Sequence, residues 1–357
     1  MRIDDCGRGS YSSAVIDASR ATAGGHLISR SLIVAALLGF LAVIVLIVES
    51  GAQEVARAML VIGWGLLPIT LFHLVPMSFS TLCWRELLPL SSRPNFGRLA
   101  WMRWIRESIN SLLPVAGVGG DIVGARLAHQ QGVPGAEAAA SIVVDTTVGV
   151  MTQMVFVIAG VTLLVTRSSD GGAGRVALAL LIGVAVFAVA IATFVRLQHR
   201  SLFATFSNLV SRVTPEKWLT GLAGGASAVD DAVVATYRRG SAFARANLLR
   251  FLAWAAGAGE IWLIMHFLSW PLGVTDAFVL ESLGSGVRAA AFMVPGALGA
   301  LEGGLVLFGA LLGLPAELAL AISLSKRVRE LALGLPGLAV WQWVEGRRLL
   351  GGGEGVV

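Results

Sequence analysis

Long apolar runs separated by short polar links dominate the chain. Six runs are long enough to cross a hydrocarbon core, which takes ~20 apolar residues as a helix: about Ser31–Val48, Met59–Trp84, Ala136–Val165, Val176–Val195, Phe251–Trp270 and Ala316–Val344. The second carries Pro68, His73 and Pro76 and is expected to be kinked. Two stretches interrupt the pattern. Asn110–Pro134 and residues 285–315 are rich in glycine and polar groups, yet they lie between spans. Lipid cannot satisfy the peptide groups of a broken helix, so each must be buried in protein or line a wet cavity. The expected fold class is an all-α polytopic membrane protein with about six full spans plus two broken, re-entrant segments.

The two broken stretches share a register. A shift of 181 positions carries Pro114 onto Pro295, Asp121 onto Glu302, Gly132 onto Gly313 and Pro134 onto Pro315. A breaker-rich composition common to two polar loops would also produce some matches, but an ancient duplication accounts for all four at once.

Charge in the links sets the expected orientation. Residues 1–30, 85–106, 196–250 and the C-terminus hold four, five, eight and two Lys or Arg, whereas links 49–58, 166–175 and 271–281 hold one, two and none. By the positive-inside rule both termini are cytoplasmic. Three full spans then separate the broken segments, so the repeat is expected to be inverted, as in many transporters. Arg98, Arg103, Arg106, Trp101 and Trp104 make link 85–106 a candidate headgroup-level amphipathic turn. The expected organisation is a polar tail at 1–30, an integral membrane domain at 31–345 and a flexible tail at 346–357. The repeat halves are 31–195 and 246–345. Region 196–245 joins them; a helix start is expected at Thr214-Pro215-Glu216, and Leu219, Leu222, Ala226, Val229, Val233 and Tyr237 form an apolar face for the membrane surface or the bundle.

Composition adds little except exclusions. The 357 residues are 56% hydrophobic and 14% charged, with net charge +5 and mean hydropathy +0.78. The basic residues flank apolar runs and do not gather on one polar domain, which excludes nucleic acid as a partner. Cys6, Cys83 and five scattered histidines form no disulfide framework or metal set, and no cofactor is indicated. His73 is expected to be a packing residue.

The candidate chemistry lies at the breaks. Gly119, Gly120, Gly296 and Gly299 allow sharp turns and close backbone approach to a ligand, or close packing of small residues between helices. A carboxylate at bilayer depth costs ~2.5–3.5 kcal/mol on insertion scales, so Asp121 and Glu302 are expected to be paired or functional. Arg126 is the expected local partner for Asp121, and Arg288 is expected to face Glu302 or a ligand phosphate. Asp145 and Lys326 are also related by the 181 shift, so a bridge from Asp145 to Lys326 or Arg327 near a pseudo-two-fold axis is expected. Lys326, Arg327 and Arg329 exceed what one partner neutralises; an anionic headgroup would absorb the surplus, as would snorkelling or pairing with Glu330 and Glu317. Glu260 is a candidate proton or cation site, or a hydrogen-bonding member of the bundle. With Arg106, Pro114 and Pro295, these residues are the candidate substrate site. No nucleophile–base set appears, so no catalytic residue is assigned.

The sequence LLPVAGVGGDIVGARL followed by Val144-Asp145-Thr146, and VPGALGALEGGLVLFGALLGLP followed by Lys326-Arg327, resembles the flippase-like transmembrane region of lysylphosphatidylglycerol synthases. The likeness covers about residues 30–345. The block Pro295–Glu302 departs at Ala297, where glycine is commoner in that family. Gly63-Trp64-Gly65 and His73-Leu74-Val75-Pro76 look like the hopanoid-biosynthesis-associated HpnL-type branch. The resemblance implies a lipid flippase or exporter in a bacterial cytoplasmic membrane. The chain is too short for the aminoacyl-transferase domain of full synthases, so it is expected not to be an enzyme. The branch implies a hopanoid cargo, and the intramembrane cations imply an anionic phospholipid. The alternative is a non-catalytic accessory subunit that holds lipid-biosynthesis enzymes together.

Overall fold

The computed structural model describes residues 52–113, 119–167, 225–291 and 294–350, together with Leu41, Ile44 and Val48. Every regular element among them is helical. The first and fourth expected spans, the helix start at Thr214 and Pro114 lie outside the described residues, apart from those three positions in the first span.

The first apolar stretch is a stack of helices: α1 (Ala52–Ile62), a 3₁₀ turn at Gly63–Gly65, α2 (Leu66–Phe72) and α3 (Leu74–Leu87). Pro68 and Pro76 each sit in a first turn, where the missing N–H costs nothing, so the expected interruptions fall between helices. The chain continues through α4 (Phe96–Leu112), α5 (Gly119–Gln130) and α6 (Gly135–Arg167). After Gly225 come α7 (Gly225–Arg238), α8 (Gly240–Phe267), α9 (Val274–Ala290), a 3₁₀ turn at Pro295–Ala297, α10 (Ala300–Leu311) and α11 (Ala316–Leu350). Among the described residues three segments are long and apolar enough to cross a membrane: Val55–Leu87, Gly135–Thr166 and Gly240–Phe267.

The 181-residue register reappears in the element bounds. Gly119–Gln130 maps onto Ala300–Leu311, and the starts of α6 and α11 map onto one another. The shared Gly and Pro explain this. Gly132 and Gly313 have φ of 91° and 74°, a left-handed conformation that suits glycine. Each closes the preceding helix with the same pair of bonds: Gly132 N–H to His129 C=O at 3.0 Å with Val133 N–H to Ala128 C=O at 3.2 Å, and Gly313 N–H to Ala310 C=O at 3.1 Å with Leu314 N–H to Gly309 C=O at 2.8 Å. Pro134 and Pro315 then open the next helix, their carbonyls accepting from Ala138 and Ala319.

Packing repeats across the two halves. α4 lies on α11, α9 lies on α6, and α3 packs on α8. Small residues make both crossings close. A Cβ on Gly160 of α6 would fall 1.6 Å from Ser282 Oγ of α9, and one on Gly337 of α11 would fall 2.1 Å from Ser108 Oγ of α4.

Link 85–106 departs from the amphipathic surface turn expected of it. Its second part is α4, a bundle helix started by the Asn95 side chain, which accepts from Arg98 N–H at 2.9 Å. Arg103 and Arg106 are buried, and Trp104 Nε1 donates to Leu333 C=O at 2.8 Å. Buried carboxylates drew the arginines inward, which a count of link charges cannot register. The joining region's apolar face also turns to the bundle: Val229 and Val233 of α7 are buried, and α7 packs on α6. The Arg239 guanidinium donates to the C-terminal carbonyls Leu87 and Leu88 of α3, at 3.0 Å for Leu88.

Candidate functional site

Both halves contribute to a cavity of about 360 Å³. α3, α4 and α6 supply one part of its wall, and α8 to α11 the other. The volume lies in the range of small-ligand sites, ~300–1,000 Å³, but the lining is unusually charged for one. Arg103, Arg250, Arg288, Lys326 and Arg329 face it with Glu107, Glu260, Glu281, Glu330 and His73.

Most of these charges are matched. Lys326 Nζ donates to Glu281, Arg288 to Glu330 at 2.8 Å, and Arg329 to Glu260 at 2.6 Å. Arg103 donates away from the cavity to Asp145 at 2.9 Å. Arg250 differs. Among the described residues its guanidinium has no hydrogen bond or ion pair, and its Nε is buried without a partner. It lies 5.9 Å from the centre of the Trp254 ring, whose Nε1 is tied to Thr152 Oγ1 at 3.2 Å. The ring fixes the cation in place, and its charge acts on the buried Asp145 from beyond ion-pair distance.

The two breaks flank this cavity. At the first, Asp121 accepts from Arg106 Nε at 2.7 Å, Asn110 at 3.1 Å and Thr146 Oγ1 at 3.2 Å. The cation on Asp121 therefore comes from α4, not from the local Arg126. Arg106 also reaches Asp145 at 2.5 Å and lies 5.8 Å from the Trp84 ring centre. Asp145, fully buried, thus holds both Arg103 and Arg106, not Lys326 or Arg327. Gly120 permits the approach: a Cβ there would lie 2.2 Å from Arg106 C=O. Gly119 opens α5.

At the second break Glu302, also fully buried, accepts from Gly299 N–H at 2.8 Å, Ser323 at 2.9 Å and Arg327 Nε at 2.9 Å. Arg327 further donates to Gly296 C=O at 3.1 Å, tying down the turn that begins at Pro295. Glu302 is therefore paired with Arg327, and the cation expected for it, Arg288, is on Glu330. Thr146 and Arg327 are 181 positions apart and contact the two equivalent carboxylates.

Of the candidate substrate residues, Arg288 and Lys326 line the cavity; Arg106, Gly119, Gly120, Asp121, Arg126, Asp145, Gly296, Gly299, Glu302 and Arg327 do not, and the Pro295 side chain lies outside the described residues. Glu107, Glu281 and Gln153 were missed by sequence reasoning. Glu107 falls just after a link, Glu281 at the end of one and Gln153 within a plain span, and only the position facing the cavity marks each out. His73 is not a packing residue: its ring contacts Glu260 at 2.5 Å and Glu107 at 3.1 Å. The signal was present, because a histidine inside an apolar run is expensive unless it is partnered.

An all-helical membrane bundle with a charged cavity is the class that the described residues define. A family profile described as the lysylphosphatidylglycerol synthase TM region matches residues 31–337, and the chain belongs to that family, a membrane family related to lipid handling. No curated protein and no solved structure matches the chain.

Proposed function

We propose that this protein is a flippase-like lipid transporter, not an enzyme, and that the cavity receives the headgroup of an anionic phospholipid. The observation that carries the reading is Arg250, a cavity-facing guanidinium fixed on Trp254 with no carboxylate on it among the described residues. A headgroup phosphate supplies the missing charge with strong, charge-assisted hydrogen bonds. A hopanoid polyol head would leave this cation unneutralised, so phospholipid is favoured even if the chain falls in the HpnL-type branch. The shared helix bounds and the crossed packing of α4 on α11 and α9 on α6 support two inverted repeats around the cavity. The topology proposed with them has six full spans and both termini on the cytoplasmic side of an inner membrane. Its charge bias in link 85–106 then rests on Arg85, Arg93 and Arg98, since Arg103 and Arg106 are interior. The accessory-subunit reading is less favoured, because the α7 face it would use for docking is partly occupied by α6.

Reconstitution into liposomes with a fluorescently labelled anionic phospholipid tests this. The wild-type protein is expected to move label between leaflets faster than empty vesicles. Arg250→Ala is expected to slow it ~10–100-fold, the loss of one charge-assisted interaction of ~1.5–3 kcal/mol. Wild-type rates equal to those of empty vesicles, or Arg250→Ala rates equal to wild type, would sink the reading.

A further inference from the structure

His73, between α2 and α3, occupies a position where one ring nitrogen is offered two incompatible partners. Nδ1 is 2.5 Å from Glu260 Oε1 and 2.6 Å from Arg329 Nη1. A guanidinium only donates and a carboxylate only accepts. Nδ1 therefore satisfies Arg329 only when bare, and Glu260 only when it carries hydrogen. Nε2, 3.1 Å from Glu107 Oε1, carries hydrogen in either case. The neutral ring thus pairs Glu107 with Arg329; the doubly protonated ring bridges Glu107 to Glu260.

The charge count favours a proton. Glu107 from α4 and Glu260 from α8 bring two negative charges, and Arg329 from α11 brings one positive. The nearby charges are committed elsewhere. Arg103 of α4 is on Asp145; on α11, Lys326 is on Glu281 of α9, and Glu330 is on Arg288 and, at 3.4 Å, on Arg329 itself, which draws further on the quartet's one cation. Without a proton on His73 the quartet is one positive charge short. Arg250 lines the same cavity. A phosphate seated on Arg250 brings further negative charge into the cavity that the quartet faces, and an uncompensated carboxylate at this depth is costly.

We propose that His73 is a proton-binding site linked to occupation of the cavity by an anionic headgroup, so that a proton taken up there accompanies the lipid, a role that rests on the transport reading above. Linkage is reciprocal: the headgroup strengthens proton binding, and the proton strengthens headgroup binding.

The test uses the full chain in nanodiscs with ¹⁵N-labelled histidine, the His73 signal being assigned by its loss in His73→Gln. Short-chain phosphatidylglycerol is expected to raise the protonated-to-neutral ratio of His73 at fixed pH by ~5-fold or more, the lower end of ordinary coupling. Phosphatidylcholine of equal chain length is expected to leave it unchanged. In Glu107→Gln the quartet is balanced without a proton, so the lipid response should disappear; His266→Gln, on the far end of α8, should keep it. A His73 ratio indifferent to phosphatidylglycerol, or a response that persists in Glu107→Gln, overturns the proposal. In liposomes, a one-unit pH gradient should change the rate of label movement by up to ~10-fold, the proton activity ratio it supplies. Label movement that ignores the gradient overturns the coupling while transport stands. Lipid-linked protonation without label movement upholds the linkage and removes the transport reading.

Discussion

The two broken segments have the same bounds and the same carboxylate position, yet they are held in different ways. The first is tied mainly from the helix that precedes it. Asp121 takes Arg106 from α4, and the same guanidinium reaches across to Asp145 on α6. The second is tied mainly from the helix that follows it: Glu302 bonds back to Gly299 N–H, and Arg327 of α11 grips both Glu302 and the Gly296 carbonyl. The turns of the two breaks match, while the charges that lock them differ. At the first break the cations are buried between α4 and α6. At the second, the equivalent of Asp145 is Lys326, which faces the cavity and Glu281.

Substituting Asp145 should break this comparison most clearly. Asp145→Ala leaves Arg103 and Arg106 without their shared, fully buried carboxylate, and is expected to cost ~3–5 kcal/mol. Lys326→Ala, at the same register in the other half, removes a pair on the cavity wall and should cost less. Unfolding of the two variants in detergent measures both; equal losses would mean that the halves are locked alike. Next in size is Gly120→Ala. Its Cβ would press on Arg106 C=O at 2.2 Å and Asn110 Oδ1 at 2.5 Å, an overpacking penalty of ~1–3 kcal/mol. Gly303→Ala, in the second break with no atom within 4 Å of its Cβ, should be neutral or slightly stabilising by the same measurement. The smallest effect expected is a gain. Ala297 has φ of 50°, a left-handed conformation that disfavours any Cβ, so Ala297→Gly should raise stability by ~1 kcal/mol, visible as a higher midpoint in thermal unfolding. A loss there would show that the buried Ala297 methyl matters more than the backbone.

Much of the frame was legible because it depends on local chemistry. Gly132-Val133-Pro134 and Gly313-Leu314-Pro315 each specify a helix stop and restart, whatever surrounds them. The departure at Ala297 from the glycine commoner in the related family marked a position that does adopt positive φ. Pairings were read less well. Arg126 was the nearest cation to Asp121 in sequence, but a helix surface brings together residues three and four apart, and Arg126 follows Asp121 by five. Arg106 reaches Asp121 because α4 and α5 fold back on each other. Glu107 and Glu281 carried no local signal at all. They count only because α4 and α9 turn those faces toward one cavity.

By itself the sequence determined that this chain is a membrane protein, where its helices break, and that the two breaks correspond. Those properties follow from apolar length, from residues that favour or forbid particular backbone angles, and from a register that any observer can count. Only the tertiary structure decided which charge meets which, that Asp121, Asp145 and Glu302 lock the frame while Arg250 and His73 face the cavity. Ion pairs act over a few ångströms in space regardless of separation along the chain, and in a bundle that space is set by how the halves cross.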